Sequence, residues 1–182
     1  MKQYRVKALF ITDYLQARFC ENAKKELEDY ISKGIVKTEE DSWINFLYFD
    51  ENSIYIPSQQ IRNALVNSGK EFKVKKQRRS MQQWVMSNVI VEPLKIYLKK
   101  DKPDEIRTSY PMRKDGNRVM IKHPVIHAGA SFEFNIKILF DEKTEDKAIE
   151  ELIKMAGKMY GIGGRRRDMF GRFEITNFEK IK

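Results

Sequence analysis

One cysteine, two histidines and no apolar run long enough to cross a bilayer define what this 182-residue chain lacks. With Cys20 alone there is no disulfide framework and no cysteine-built zinc site. An intracellular, reducing compartment is therefore expected. The opening Met1-Lys-Gln-Tyr-Arg-Val-Lys7 has no apolar segment of the signal-peptide kind, and nothing approaches the roughly 18 apolar residues of a membrane span. The chain reads as soluble and cytoplasmic, with no membrane partner. His123 and His127 are too few to ligate a metal unaided, so no metal and no cofactor are expected. Repeats and low-complexity tracts are absent too. That points to a single domain over 1–182, with insertions near 14–43 and 70–125.

What the chain has in excess is positive charge. Thirty-five Lys and Arg oppose 26 Asp and Glu, a formal +9, while 41% hydrophobic residues suffice for a core. That balance suits a nucleic acid or another anionic partner without identifying one.

Periodicity supplies the elements. Tyr4, Val6, Ala8 and Phe10 alternate in a first strand, Tyr4–Ile11. From Tyr14 to Lys33 the spacing turns helical, with Gly34 as a stop. Ile44–Phe49 and Ser53–Ile56 read as strands around Asp50-Glu51-Asn52, and Ser58 as the N-cap of a helix that Asn67-Ser68-Gly69 ends. Val89–Val91 and Leu94–Leu98 read as strand, with Pro93 marking an edge or bulge. Asp115-Gly116 predicts a hairpin tip within Met112–Met120. Phe132, Phe134, Ile136, Ile138 and Phe140 alternate in the clearest strand. Thr144 caps a helix whose stripe is Ala148, Ile149, Leu152, Ile153, Ala156 and Met159, and Arg172–Phe178 closes the chain as a strand. The order fits an α+β fold with a β-α-β-β-α-β, ferredoxin-like or RNA-recognition-motif-like core.

Between the last helix and last strand lies Gly161-Ile-Gly163-Gly164-Arg165-Arg166-Arg167-Asp-Met-Phe-Gly171-Arg172-Phe173. It follows a helix rather than opening one and has no Gly-Lys-Ser/Thr, which excludes a P-loop; a dinucleotide fingerprint would need the reverse order of strand and helix. Glycine lets backbone approach a ligand, and arginine matches phosphate with a planar fork. Either a polyanion site or a helix cap followed by a solvated basic turn would have this composition. Two further basic segments join it: Lys70–Arg79, with Lys73, Lys75, Lys76, Arg78 and Arg79, and the hairpin tip with Arg113, Lys114 and Arg118. Arg62 is a further candidate on the first helix. Tyr4, Phe132 and Phe134 could stack bases if exposed, but their alternation favours the core.

The Pro57-Ser58-Gln-Gln-Ile61-Arg62-Asn-Ala64-Leu65 element resembles the entry to the first helix of RAMP-superfamily proteins, and the closing loop resembles that superfamily's glycine-rich loop. The two occur in this order, about a hundred residues apart. The resemblance runs from about residue 44 to the end and is nearest to the backbone subunits that line CRISPR RNA. It implies an antiviral ribonucleoprotein component that contacts single-stranded RNA, or single-stranded DNA, through its backbone. Copies would stack along the strand or join other subunits. Ser58-Gln59 in place of the usual Gly-Ser, the three consecutive arginines and the short chain depart from the pattern.

Catalysis is not expected. RAMP endoribonucleases commonly place a histidine in the N-terminal half, where this chain has none. Asp13 stands where target-cleaving backbone subunits carry an aspartate, though no surrounding motif supports it. Two alternatives remain: a metal-independent endoribonuclease using His123 or His127 as general acid or base, and a basic protein–protein adaptor.

Overall fold

A computed structural model describes residues 1–18, 42–51, 53–72, 80–112, 115–118, 120–140 and 144–181. The basic residues Lys73, Lys75, Lys76, Arg78, Arg79, Arg113 and Lys114 lie outside the described residues, as does most of the helix expected before Gly34.

Alternation of apolar residues produces the central strands. The elements run β1 (Lys2–Phe10), β2 (Tyr14–Leu15), β3 (Tyr55–Pro57), α1 (Ser58–Ser68), α2 (Met81–Asn88), β4 (Val89–Glu92), β5 (Lys95–Tyr97), β6 (Glu105–Ser109), β7 (Ile121–Ile126), β8 (Ser131–Ile138), α3 (Asp146–Met155) and β9 (Phe173–Lys180). Four strands form the main sheet in the order β4-β8-β1-β9, and every neighbouring pair is antiparallel. Strands β1 and β4 are thus parallel to each other with β8 between them, and β8 and β9 are parallel with β1 between them. Two β-α-β units interleave in one sheet, an α+β arrangement. Smaller sheets β2-β7-β6 and β3-β5 flank it.

One face of the main sheet is the core. Tyr4, Val6, Ala8 and Phe10 of β1 and Phe132, Phe134, Ile136 and Ile138 of β8 pack with Ile61, Ala64 and Leu65 of α1 and Ile149, Leu152 and Ile153 of α3. The Ser68 hydroxyl ties the helices by donating to Leu152 O at 3.1 Å. The opposite face carries paired charges: Glu133 lies 3.4 Å from Arg5 and 3.6 Å from Lys7, and Lys137 pairs with Glu92. It offers no aromatic platform, since Tyr4, Phe132 and Phe134 are buried. β4 lies at the sheet edge, as Pro93 implies.

Several expectations need correction. Tyr14–Leu15 is strand rather than helix: both residues are fully buried and pair with Val125 and Ile126. Gln16 then spans two segments, its backbone N–H donating to Pro124 O at 3.0 Å and its Oε1 accepting the Tyr48 N–H at 2.5 Å. Ser42–Phe46 is a 3-10 helix rather than the start of a strand, and Phe49 bridges Ile54 alone. Pro57, not Ser58, occupies the N-cap of α1, and Ser58 is buried within the helix. Glu145 rather than Thr144 caps α3. Phe140 lies beyond the end of β8 and is exposed. After Met155 the helix widens into a π-turn, Ala156–Tyr160, which turns Met159 out of the apolar stripe.

Candidate nucleic-acid interface

The glycine–arginine loop sits on a rigid base built from the segment that leaves β1. Gly161 N–H donates to Ala156 O at 2.8 Å and ends the π-turn. Ile162 N–H donates to Gly171 O at 2.9 Å, closing the loop at its neck. Gly164 N–H donates to Leu15 O at 2.9 Å and Gly171 N–H to Asp13 O at 2.8 Å. Thr12 adds a hydroxyl bond of 2.8 Å to Met169 O and accepts the Arg172 N–H at 2.9 Å.

These contacts change the role of the glycines. A Cβ at Gly163 would stand 2.5 Å from Leu15 O and from the Tyr14 ring, one at Gly171 1.8 Å from Ile162 O, and one at Gly161 2.7 Å from Gly171 O. Gly164 would meet the Ala17 methyl at 3.1 Å. The missing side chains admit protein, not ligand, and the N–H groups of Gly161, Gly164 and Gly171 are spent on internal carbonyls. Gly161, Gly163 and Gly171 also have positive φ.

What the base presents outward is Arg165–Asp168. Arg165, itself left-handed at φ 50°, bonds Asp168 through Nε at 2.9 Å. Arg166 and Arg167 are exposed, and among the described residues neither side chain has a partner. Arg172 differs from them. It is 7% exposed beneath the turn, where Nη2 donates to Arg166 O at 3.1 Å while Nε and Nη1 are buried with no partner among the described residues. Burial weakens its hold on the proton, and the charge of Arg166 adds to this.

Asp13 and His127, far apart in sequence, come together beside the loop. Asp13 Oδ2 accepts from Arg107 Nη2 at 2.9 Å, Oδ1 accepts the Ala128 N–H at 3.1 Å, and His127 Nδ1 lies 3.5 Å away. Burial pushes the Asp13 carboxyl up, but the Ala128 N–H and Arg107 outweigh it and hold the pKa below the ordinary value. Arg107 also grips Glu105 at 2.7 and 3.0 Å and lies over the Phe170 ring at 5.5 Å. Ligand atoms of Asp13, Glu105 and His127 all fall within 4.8 Å of one another, a spacing that could hold a cation. The Arg107 guanidinium already supplies positive charge between the two carboxylates. His123 is separate: its ring lies 5.9 Å from Phe46 and its Nδ1 is buried with no partner among the described residues. Burial, then the charge of Arg165, pulls its pKa down.

The remaining candidates divide. Arg62 is engaged at the end of α2, donating to Met86 O at 2.7 Å and Val89 O at 3.3 Å. Arg118 is exposed on a hairpin whose Met112–Arg118 bridge and left-handed Gly116 fit the expected tip. Sequence reasoning missed Arg107 and Phe170, which join that hairpin's β6 strand to the loop. Glu105-Ile-Arg-Thr-Ser109 is short, carries charge and has no fully buried residue, so its alternation gives little signal.

No family model matches the sequence, and no curated protein matches it. A chain in the cryo-EM structure of the Type III-B Cmr-beta bound to cognate target RNA is similar in fold, with a TM-score of 0.59 at 19% identity. The match covers 100% of this chain and 61% of that one, so this chain spans about three fifths of its length. A chain of a Type IV-B CRISPR complex gives a TM-score of 0.49 at 10% identity over 96% of this chain and 89% of that one, too distant to argue from.

Proposed function

We propose that the chain is a subunit of a CRISPR-like ribonucleoprotein that grips the phosphate backbone of single-stranded RNA. The observation that carries this reading is the Arg165–Asp168 turn, projected on its base with Arg166 and Arg167 exposed and, among the described residues, unengaged. Arginine forks in that setting bind phosphates by charge-assisted bonds irrespective of base identity. Arg107 of β6 lies over the Phe170 ring of the loop, and Arg118 of the neighbouring hairpin would add to the same track. Lys73, Lys75, Lys76, Arg78, Arg79, Arg113 and Lys114 would extend the track, and several copies would line one strand. The similarity to a chain of an RNA-bound Type III-B complex supports this reading, as does a strand order compatible with a ferredoxin-like core.

The test is whether the protein carries RNA. Purified without nuclease, it should retain nucleic acid that RNase A removes and DNase I does not, and Arg165→Ala/Arg166→Ala/Arg167→Ala should lose it. Nucleic-acid-free wild type that also fails to bind added RNA would reject the proposal.

A second reading, metal-independent RNA cleavage, has one observation in its favour: His127 faces Asp13 at 3.5 Å and lines a cleft of about 720 Å³ with Lys99 and Lys100. Arg107 neutralises Asp13, however, which weakens it as a partner for an imidazolium. Incubation of RNA with wild type in EDTA should leave it intact. Cleavage that His127→Ala abolishes would favour the enzyme.

A further inference from the structure

We propose that Arg172 is a concealed phosphate ligand, covered by the Arg166–Met169 turn in the free protein and uncovered when a phosphodiester strand engages the loop. This rests on the strand-holding reading above and adds a moving part to it. Arginine has five N–H donors and no way to become neutral in ordinary conditions. Here the side chain is 7% exposed, yet among the described residues Nε and Nη1 have no partner, and Nη2 has only Arg166 O and, at 3.7 Å, Met169 Sδ. Among the described residues no carboxylate pairs with it. Asp168, the sole acid between Gly161 and Arg172, bonds Arg165, and Asp13 is held by Arg107. A buried charge without a counter-charge destabilises the free fold, where an apolar residue of like volume would not. A phosphate supplies the missing partner, and its geometry fits the guanidinium fork.

The cover is held to its base by few bonds. It is one 3-10 turn, Arg166–Asp168, flanked by two non-glycine residues in the left-handed region, Arg165 at φ 50° and Met169 at φ 68°. Its ties are the Asp168 N–H to Arg165 O, the Met169 N–H to Arg166 O, the Thr12 hydroxyl to Met169 O, the Arg165–Asp168 surface pair, and the Arg172 Nη2 contacts with Arg166 O and Met169 Sδ that uncovering would break. The neck below, Ile162 to Gly171 and Gly171 to Asp13, involves none of these. A phosphate bound by Arg165 competes with Asp168 for that side chain and releases one of the ties.

The variant Arg172→Met keeps side-chain bulk and removes the charge. The free protein should melt about 2–4 °C higher or more. Affinity for a fluorescein-labelled single-stranded RNA should fall about tenfold, and the slope of log K against log salt should become shallower by about 0.7. A slope equal to that of wild type overturns the proposal, whatever happens to Tm. If Arg165→Ala/Arg166→Ala/Arg167→Ala still loses binding in that case, the strand-holding reading stands and only the concealed ligand fails. Absence of RNA binding by wild type removes both. Should Arg172→Met not fold, hydrogen exchange of wild type decides: the Asp168 and Met169 amides should exchange faster with RNA bound, and slower or unchanged exchange overturns the uncovering.

Discussion

Replacing Gly171 by alanine separates two roles a glycine-rich loop can have. Alanine at φ 70° costs about 1 kcal/mol for its left-handed backbone. Its Cβ would stand 1.8 Å from Ile162 O, so the neck must shift, straining the 2.9 Å Ile162–Gly171 bond and the 2.8 Å Gly171–Asp13 bond. At about 1 kcal/mol each, the total loss is about 3 kcal/mol, and a chain of this size should melt roughly 6–12 °C lower. Gly116→Ala is the control: φ is 84° there but nothing lies within 4 Å of the new methyl, so only the backbone cost of about 1 kcal/mol remains. That predicts a fall of roughly 2–4 °C. Differential scanning fluorimetry, checked by urea melts, reads both. Equal shifts for the two variants would refute the packing role of Gly171. An unchanged Tm for Gly171→Ala with lost RNA binding would restore the glycine to the ligand.

Asp146 is held at about 2 by Lys180, Tyr4 and Lys2. A folded pKa below the unfolded one gives stability that is present above about pH 4 and lost as pH falls towards 2. The Tm gap between wild type and Asp146→Asn should therefore be open at pH 5 and closed near pH 2; a constant gap contradicts this. His123 should titrate by NMR below its ordinary value of 6.5, and Arg165→Ala should move the midpoint up, because Arg165 disfavours the imidazolium. An unmoved midpoint would place Arg165 too far away to act. Arg62→Ala removes two bonds to carbonyls at the end of α2 and should cost about 1–3 kcal/mol in urea melts, with an unchanged salt slope for RNA binding.

The main sheet was legible because its strands bury one face: Tyr4 to Phe10 and Phe132 to Ile138 alternate without interruption, and α3 keeps Ile149, Leu152 and Ile153 on one side. What hid from the sequence was tertiary. Tyr14 and Leu15 are adjacent and both buried, which no single periodicity encodes, so helical spacing further along masked a two-residue strand. The loop was visible as glycine and arginine, but composition does not tell whether a glycine faces a ligand or Leu15. Nor could spacing separate Arg172 from Arg165–Arg167: Arg172, immediately before β9, is buried, while the turn before it stays out. Asp13 and His127 are 114 residues apart, and only the fold brings them together, with Gly171 N–H on Asp13 O and Arg107 of β6 joining them to the loop.

On the proposed reading, Arg165, Arg166 and Arg167 hold phosphates. The direct measurement is the salt dependence of single-stranded RNA binding between 50 and 200 mM, wild type against Arg165→Ala/Arg166→Ala/Arg167→Ala. Each phosphate contact on a single strand contributes about 0.7 to the slope of log K against log salt, so three lost contacts should flatten it by about 2. Parallel lines for the two proteins would contradict the account.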